Sequence, residues 1–497
     1  MSLHRLRNRL AQILPLLIGF SLGFSWFWVR GDIFTLEGLP EGYSWSRYLL
    51  SGWGMHHEGV GMYNGFREPG YFWVLSLLGD AMDSYIQAGV LISSCSVLAL
   101  LICTGAIGHF FGGSWVAMSA MIALPWVATT VDASRWLNNY PMQAAVYAIL
   151  LTLWLYATRK RSWVFVLLGS LVLGLSFHID MRTIFFLPVI AVLYSWGLYR
   201  NRRTRSRNLI IFLLAFGASY AWGSAVMVPP RAATFVQKQV EQQAVTRRWQ
   251  REKGPSLKAA CEEIPQNELL TLSSVVTKCG FQTLQYNVDN QFRLPFGRDL
   301  SVFALLLALF FFWKRPVFGL FFSALSAPFF VWMTLTPFPE RYTILYAVPL
   351  ACLVPCAVGA VLSRPVYRMA ASLFLLWWAW DNDFSKRDTH AMPPSSADRK
   401  THTILLDLKK RLKPEELFLD CSRQNLEIAF APHVNHMQLL KNGRLESYCI
   451  TYMQEKESAD RWLLLNVGGR YYPSHNGWEE VRRWGKSVLW YQAGTSP

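Results

Sequence analysis

Residues 86–108 read IQAGVLISSCSVLALLICTGAIG, an uncharged run of 23 residues in which only Gln87 and four small hydroxyl side chains interrupt the apolar character. About 20 apolar residues in a helix cross the ~30 Å hydrocarbon core of a bilayer, where every backbone amide must find its partner within the segment. Residues 86–108 are therefore predicted to span a membrane. Working outward, similar runs occur near 11–29, 114–131, 141–157, 163–179, 183–199, 209–228, 300–313, 317–337, 343–363 and 365–380, which makes eleven predicted spans. The run at 300–313 has 14 residues and the last has 16. In the last, Pro365 suits the first turn of a helix, and Trp377, Trp378 and Trp380 would form an interfacial belt. The first run follows Arg5, Arg7 and Arg9 as a signal peptide would. It is too long for a signal h-region and no A-x-A-like cleavage site follows, so it reads as an uncleaved anchor.

The whole composition agrees. The 497 residues are 52% hydrophobic and 15% aromatic, with a mean hydropathy of +0.20 and a formal net charge of +16. Only 16% are charged, against about a quarter in soluble domains. This excludes disorder, collagen, a coiled coil and a disulfide-dense miniprotein. A nucleic-acid binder would cluster its basic residues on a solvated face, whereas here they fall between apolar runs. With the N-terminus in the cytoplasm, the inner loops are 1–10, 109–113, 158–162, 200–208, 314–316 and 364. They and their flanks hold Arg5, Arg7, Arg9, Arg159, Lys160, Arg161, Arg200, Arg202, Arg203, Arg205, Arg207, Lys314, Arg315, Arg364 and Arg368, fifteen basic residues and no acidic one. The positive-inside rule asks for this asymmetry. Setting these aside leaves 33 Lys and Arg against 32 Asp and Glu, so the excess charge is an orientation signal.

Three segments then face outward, 30–85, 229–299 and 381–497. The expected organisation is a transmembrane domain over 1–380 and a small extracytoplasmic α/β domain over 381–497, with a helix near Thr401 to Leu412. Strands are predicted near Leu417–Asp420, Trp462–Val467 and Ser487–Tyr491. Cys261 and Cys279 share one outer loop and Cys421 and Cys449 share the tail, which on an oxidising face fits either two disulfides or four free thiols. Cys95, Cys103, Cys352 and Cys356 lie within spans, and none of the eight cysteines has the spacing of a zinc site.

The span centres carry almost no charge, which disfavours an ion pump or proton-coupled transporter. Polar groups collect instead at the outer span ends: Asp32, Glu37, Glu41, Arg67, Glu68, Asp132, Arg135, His178, Asp180, Arg182, Glu340 and Arg341. His178 with Asp180 reads as a proton relay or as a capping pair. Adjacent His56 and His57 with Glu58 lack a third ligand at helical spacing and read as a solvated loop. The first outer loop runs through Pro40-Glu41-Gly42-Tyr43-Ser44-Trp45, a helical segment to Leu50, Gly52-Trp53-Gly54, and Phe66-Arg67-Glu68-Pro69-Gly70-Tyr71 leading into an apolar helix. This order resembles the first extracytoplasmic loop of the GT-C membrane glycosyltransferases, the class of protein mannosyltransferases and aminoarabinose transferases. Asp180-Met181-Arg182-Thr183 before a Leu-Pro span, and Glu340-Arg341-Tyr342 opening the span to Pro349, are similar to further parts of that family. The resemblance covers residues 1–380 as topology and about thirty residues as motif.

The resemblance implies a transmembrane GT-C fold and inverting transfer of a sugar from a polyprenyl-phosphate carrier to a glycan, lipid or protein at the periplasmic face of a bacterial inner membrane. Such transfer needs a carboxylate to accept the acceptor's proton and cations to hold the departing phosphate, a task suited to the forked donors of arginine. By resemblance, Glu41 or Asp32 would be the base and Glu68 a second carboxylate. Arg67, Arg135, Arg182, Arg341 and Tyr342 would bind substrate. Glu41 departs from the aspartate common after the proline, which leaves open whether it or Asp32 is the base. Arginines at span ends also snorkel to lipid headgroups. No cofactor is firmly implied, and a divalent metal stays open. Two other readings fit the spans: a polysaccharide polymerase or ligase, whose essential residues would sit in 229–299, and a glycolipid transporter or flippase.

Overall fold

The computed structural model describes residues 3–31, 52, 69–82, 84–127, 130–133, 137–159, 163–200, 202–227, 296, 298–310, 315–335 and 344–381, and in the tail 403–404, 407–408, 410–413, 416–420, 460–466 and 477–494. Each of the eleven predicted runs is helical over most of its described residues. In chain order the helices are α1 Leu3–Gly31, α2 Gly70–Ala81, α3 Tyr85–Gly112, α4 Ser114–Ala123, α5 Thr130–Ala133, α6 Tyr140–Ala157, α7 Trp163–Ile179, α8 Leu187–Arg200, α9 Arg205–Val226, α10 Arg298–Phe310, α11 Pro316–Leu335, α12 Ala347–Val361 and α13 Pro365–Ala379. Among the described residues five stretches are long and apolar enough to cross a membrane: Tyr85–Gly112, Tyr140–Ala157, Arg182–Arg200, Arg205–Val226 and Ile344–Val361. Five shorter apolar helices accompany them.

Proline redraws several boundaries. The run expected as one span over 114–131 is three pieces, because Pro125 opens a 3-10 turn over Leu124–Trp126 that separates α4 from α5. The run from 183 begins as a 3-10 helix, Met181–Phe186, before Pro188 in the first turn of α8. Proline cannot donate to the preceding turn and clashes with it, but it suits a first turn.

The chain divides into two compact units. The first comprises Met1–Ile33, Ser94–Ser134 and Tyr140–Ala391. In it α9 packs on α7, α1 on α4, α6 on α7 and α8, α11 on α8, and α12 and α13 on α4. Lipid is as apolar as leucine, so helices associate through close packing at small residues rather than through a hydrophobic drive. A side chain at Gly174 of α7 would put its Cβ 2.8 Å from the Phe216 carbonyl oxygen and 2.9 Å from the Tyr220 nitrogen of α9. A Cβ on Gly112 would lie 2.9 Å from the Gly359 Cα, and one on Gly359 2.7 Å from the Gly112 Cα. The outward faces are apolar: Leu209, Ile210, Leu213 and Leu214 of α9, Phe303, Leu306 and Phe310 of α10, and Phe374, Trp377 and Trp378 of α13 are all exposed. In water such a surface would aggregate; in a bilayer it is the solvated one. The chain is a helical, multi-pass membrane protein.

The second unit comprises Phe34–Ser93, Arg135–Asn139 and Met392–Pro497. Its sheet has the order β1-β2-β4-β3, with β1 Leu417–Asp420, β2 Arg461–Asn466, β3 Glu479–Trp484 and β4 Ser487–Gln492. β1 runs parallel to β2, while β4 is antiparallel to both of its neighbours. Leu463, Leu464, Val488 and Leu489 are wholly buried, as befits central strands. β3 was not among the predicted strands. Its sequence EEVRRW is mostly charged and exposed, which suits an edge strand that must resist further pairing. Gly485, at φ 60°, makes the tight turn into β4. In the predicted helix near 401–412, Ile404 and Leu408 are buried one turn apart and Arg411 pairs with Asp407 at 3.0 Å.

Two outcomes test this account. Gly174→Leu should destabilise the helical unit by about 1–3 kcal/mol, the usual cost of overpacking, read as a lowered Tm in detergent. In the sheet unit the Gly494 N–H, 2.9 Å from Asp460, and the Tyr491 hydroxyl hold the Asp460 carboxyl below its usual range. A depressed carboxylate stabilises above its unfolded pKa of about 3.9 and loses that contribution as pH falls through the folded value. Amide-exchange protection of β2 and β4 should therefore fall less between pH 6 and 3 in Asp460→Asn than in the wild type.

Candidate functional site

A polar network in the helical unit centres on Asp180, where α7 ends. Its nitrogen still donates to the Ser176 carbonyl at 2.8 Å, continuing the helical pattern. Its φ of −161° and ψ of 123° then turn the chain out, and the residue caps the 3-10 helix Met181–Phe186. An Asp here is favoured because its carboxylate satisfies donors that the turn would otherwise strand. Oδ1 accepts from the Arg182 backbone N–H at 3.0 Å, and the Arg182 Nε lies 3.2 Å from the same oxygen. Oδ2 accepts from the Tyr147 hydroxyl of α6 at 2.7 Å. The Asp180 carbonyl accepts from the Thr183 hydroxyl at 2.8 Å.

Asp180 is 1% exposed, and an ionised carboxylate so placed is tolerable only with its lone pairs engaged and a countercharge beside it. Both conditions are met. A carboxylate with both oxygens so occupied is a good anchor. It fixes Arg182, whose guanidinium carbon lies 5.6 Å over the Tyr140 ring and whose side chain keeps 23% exposure. The Tyr147 ring stacks on Phe186 at 4.2 Å, and Phe186 on Tyr346 at 5.3 Å, so the anchor sits on an aromatic floor contributed by three parts of the chain.

Of the two readings of His178 with Asp180, the geometry is that of a capping arrangement. Asp180 caps the 3-10 helix, while the His178 Nε2 faces the Tyr220 carbonyl at 3.0 Å and its ring packs on Tyr220. Of the residues singled out by sequence for catalysis or binding, Arg182 alone is described with its side chain. Asp32, Glu41, Arg67, Glu68, Arg135, Arg341 and Tyr342 lie outside the described residues, as do the His56-His57-Glu58 run and Cys261, Cys279, Cys421 and Cys449. Asp132 is placed by its backbone in α5. Among the described residues no three His, Cys, Asp or Glu side chains converge.

Sequence reasoning did not single out Tyr140, Gln143 or Tyr147. Their only local signal is spacing: three, four and seven residues apart, they share one face of α6, and all three are buried.

A bundle of apolar helices, with a buried carboxylate paired to an arginine at one span end and a small sheet in the tail, defines the class: a polytopic membrane protein. No protein-family model matches the sequence, and no protein of curated function matches it. Solved structures do. ArnT from Cupriavidus metallidurans, an aminoarabinose transferase crystallised with undecaprenyl phosphate, aligns with a TM-score of 0.59 over 96% of this chain and 98% of its own, at 13% identity. Its apo form aligns with a TM-score of 0.56 at the same identity, over 96% and 97%. The apo oligosaccharyltransferase from Archaeoglobus fulgidus aligns with a TM-score of 0.53 at 12% identity, over 93% of this chain and 71% of its own. The fold implied by the loop and span-end motifs is thus the fold found.

Tyr147→Phe should cost about 1.5–3 kcal/mol, the range for a hydrogen bond to a charged group. The cost should shrink in an Asp180→Asn background, where the phenol faces a neutral amide. Thermal unfolding of the two single variants and the double variant measures that coupling.

Proposed function

We propose that this chain is an inverting membrane glycosyltransferase. It takes a sugar from a polyprenyl-phosphate carrier and passes it to a glycan, lipid or protein acceptor at the periplasmic face of a bacterial inner membrane. The observation that carries this reading is the end-to-end likeness to ArnT, whose structure holds undecaprenyl phosphate. The basic inner loops support a cytoplasmic N-terminus, and with it an outer location for the 1–380 domain's loops 30–85 and 229–299 and for the 381–497 tail.

The physical logic is that of a carrier whose isoprenoid tail lies in lipid. Its phosphate then presents near the span ends, and Arg182, held by Asp180 and Tyr140 at such an end, is suited to meet it. Arg341 with Tyr342, Arg67 and Arg135 complete the proposed cation set. In a single displacement the acceptor hydroxyl gives its proton to Glu41 or Asp32 as its oxygen bonds to the anomeric carbon. The carbon–oxygen bond to phosphate breaks on the opposite face, and the phosphate leaves as an anion facing the arginines. Charge develops on that leaving group in the transition state, so fixed guanidinium groups would lower the barrier. Glu68 serves as a second carboxylate near the acceptor. The tail shapes the acceptor side.

The test is transfer from a panel of labelled glycosyl undecaprenyl phosphates by Asp32→Asn and Glu41→Gln variants. Loss of the base should slow the rate by about 10²–10⁴, while the other variant stays near wild type. Full activity in both removes the proposed bases. Arg341→Gln should weaken binding of undecaprenyl phosphate, and unchanged affinity would remove that arginine from the phosphate site.

A further inference from the structure

Gln143 lies on the α6 face that holds Asp180 and Arg182. It is wholly buried, and neither its amide nitrogen nor its carbonyl oxygen has a hydrogen-bond partner among the described residues. Native folds keep few such groups, and each asks for an explanation. An unpaired carboxamide is costly in a low-dielectric interior, the more so in a protein bathed in lipid.

Its position is set by helix geometry. At 3.6 residues per turn, Gln143 lies about 60° round the α6 axis from Tyr140 and about 40° from Tyr147, roughly 4.5 Å and 6 Å along it. Both tyrosines are engaged by one short segment of chain. The Tyr147 hydroxyl bonds Asp180 at 2.7 Å, and the Arg182 guanidinium lies over the Tyr140 ring. That segment therefore runs beside α6 at the level of Gln143, which lies between the two tyrosines along the axis and to one side of them around it.

The chemistry of a carboxamide selects the ligand. It presents two N–H donors and one carbonyl acceptor. A phosphate offers only acceptors and would leave the carbonyl facing negative charge. Neighbouring hydroxyl groups, each able to donate and to accept, satisfy both ends at once. We propose that Gln143 is a specificity-determining residue that binds hydroxyl groups of the transferred sugar beside the Arg182 end of the site. The proposal rests on the carrier-dependent glycosyltransferase reading above. It adds that sugar recognition comes from within α6, and that an unpaired amide is kept there because a ligand completes it.

The test uses the full chain in nanodiscs, with undecaprenyl phosphate and its glucosyl, mannosyl and arabinosyl esters as probes. The wild type should bind at least one ester more tightly than the bare carrier. Gln143→Leu, of similar size and without polar atoms, should hold the bare carrier within about twofold of wild type and bind the preferred ester about 10–100-fold more weakly. A buried site built to pair a hydroxyl loses on this scale when one partner is removed. The ligand-free Gln143→Leu protein should also have a higher Tm than wild type, because an unsatisfied amide is gone. Gln143→Met repeats the series should the leucine variant not fold. A lower Tm in the variant that does fold, an unchanged ester preference, a parallel loss of bare-carrier affinity, or a wild type indifferent to the sugar would each overturn the proposal. A wild type that binds no form of the carrier overturns the glycosyltransferase reading itself.

Discussion

Hydrocarbon offers a backbone amide nothing to bond to, and the helical unit follows from that constraint. Each apolar run must satisfy its own N–H and C=O groups, so each becomes a helix. The breaks fall where proline withdraws a donor, as at Pro125, and where Gly113, at φ 80°, turns α3 into α4. Because lipid does not push helices together, contact depends on how near two backbones can come. Gly174 against α9 and Gly112 against Gly359 set that distance. The same solvent makes a buried polar group expensive unless it is paired.

Asp180 illustrates the pairing. Its carboxylate carries three polar contacts, from the Tyr147 hydroxyl and from the Arg182 backbone and side chain, and this network converts a costly buried charge into a mount for an arginine at a span end. An arginine so mounted has lost much of its rotational freedom.

The tail follows the rules of water. β2 and β4 are central and bury both faces, while β3 is charged and lies at the edge. Periodicity revealed the strands whose residues are apolar and passed over the one whose task is to stay polar. Alternation of apolar and polar residues marks a half-buried strand, and a strand written EEVRRW carries almost none of it.

The sequence by itself determined the class of protein, the helical nature of its apolar runs and the order of motifs that resembles the GT-C transferases. It could do so because a bilayer imposes local requirements, length and absence of charge, that are satisfied residue by residue. It also picked out Asp180 and Arg182, since two opposite charges at the end of an apolar run stand out wherever the chain goes. Only the tertiary structure decided that Asp180 is an anchor rather than half of a relay with His178, because its partner Tyr147 lies 33 residues away. It likewise decided that Gln143 is buried without a partner. The satisfaction of a polar group depends on what packs against it from distant parts of the chain, and no local pattern encodes that.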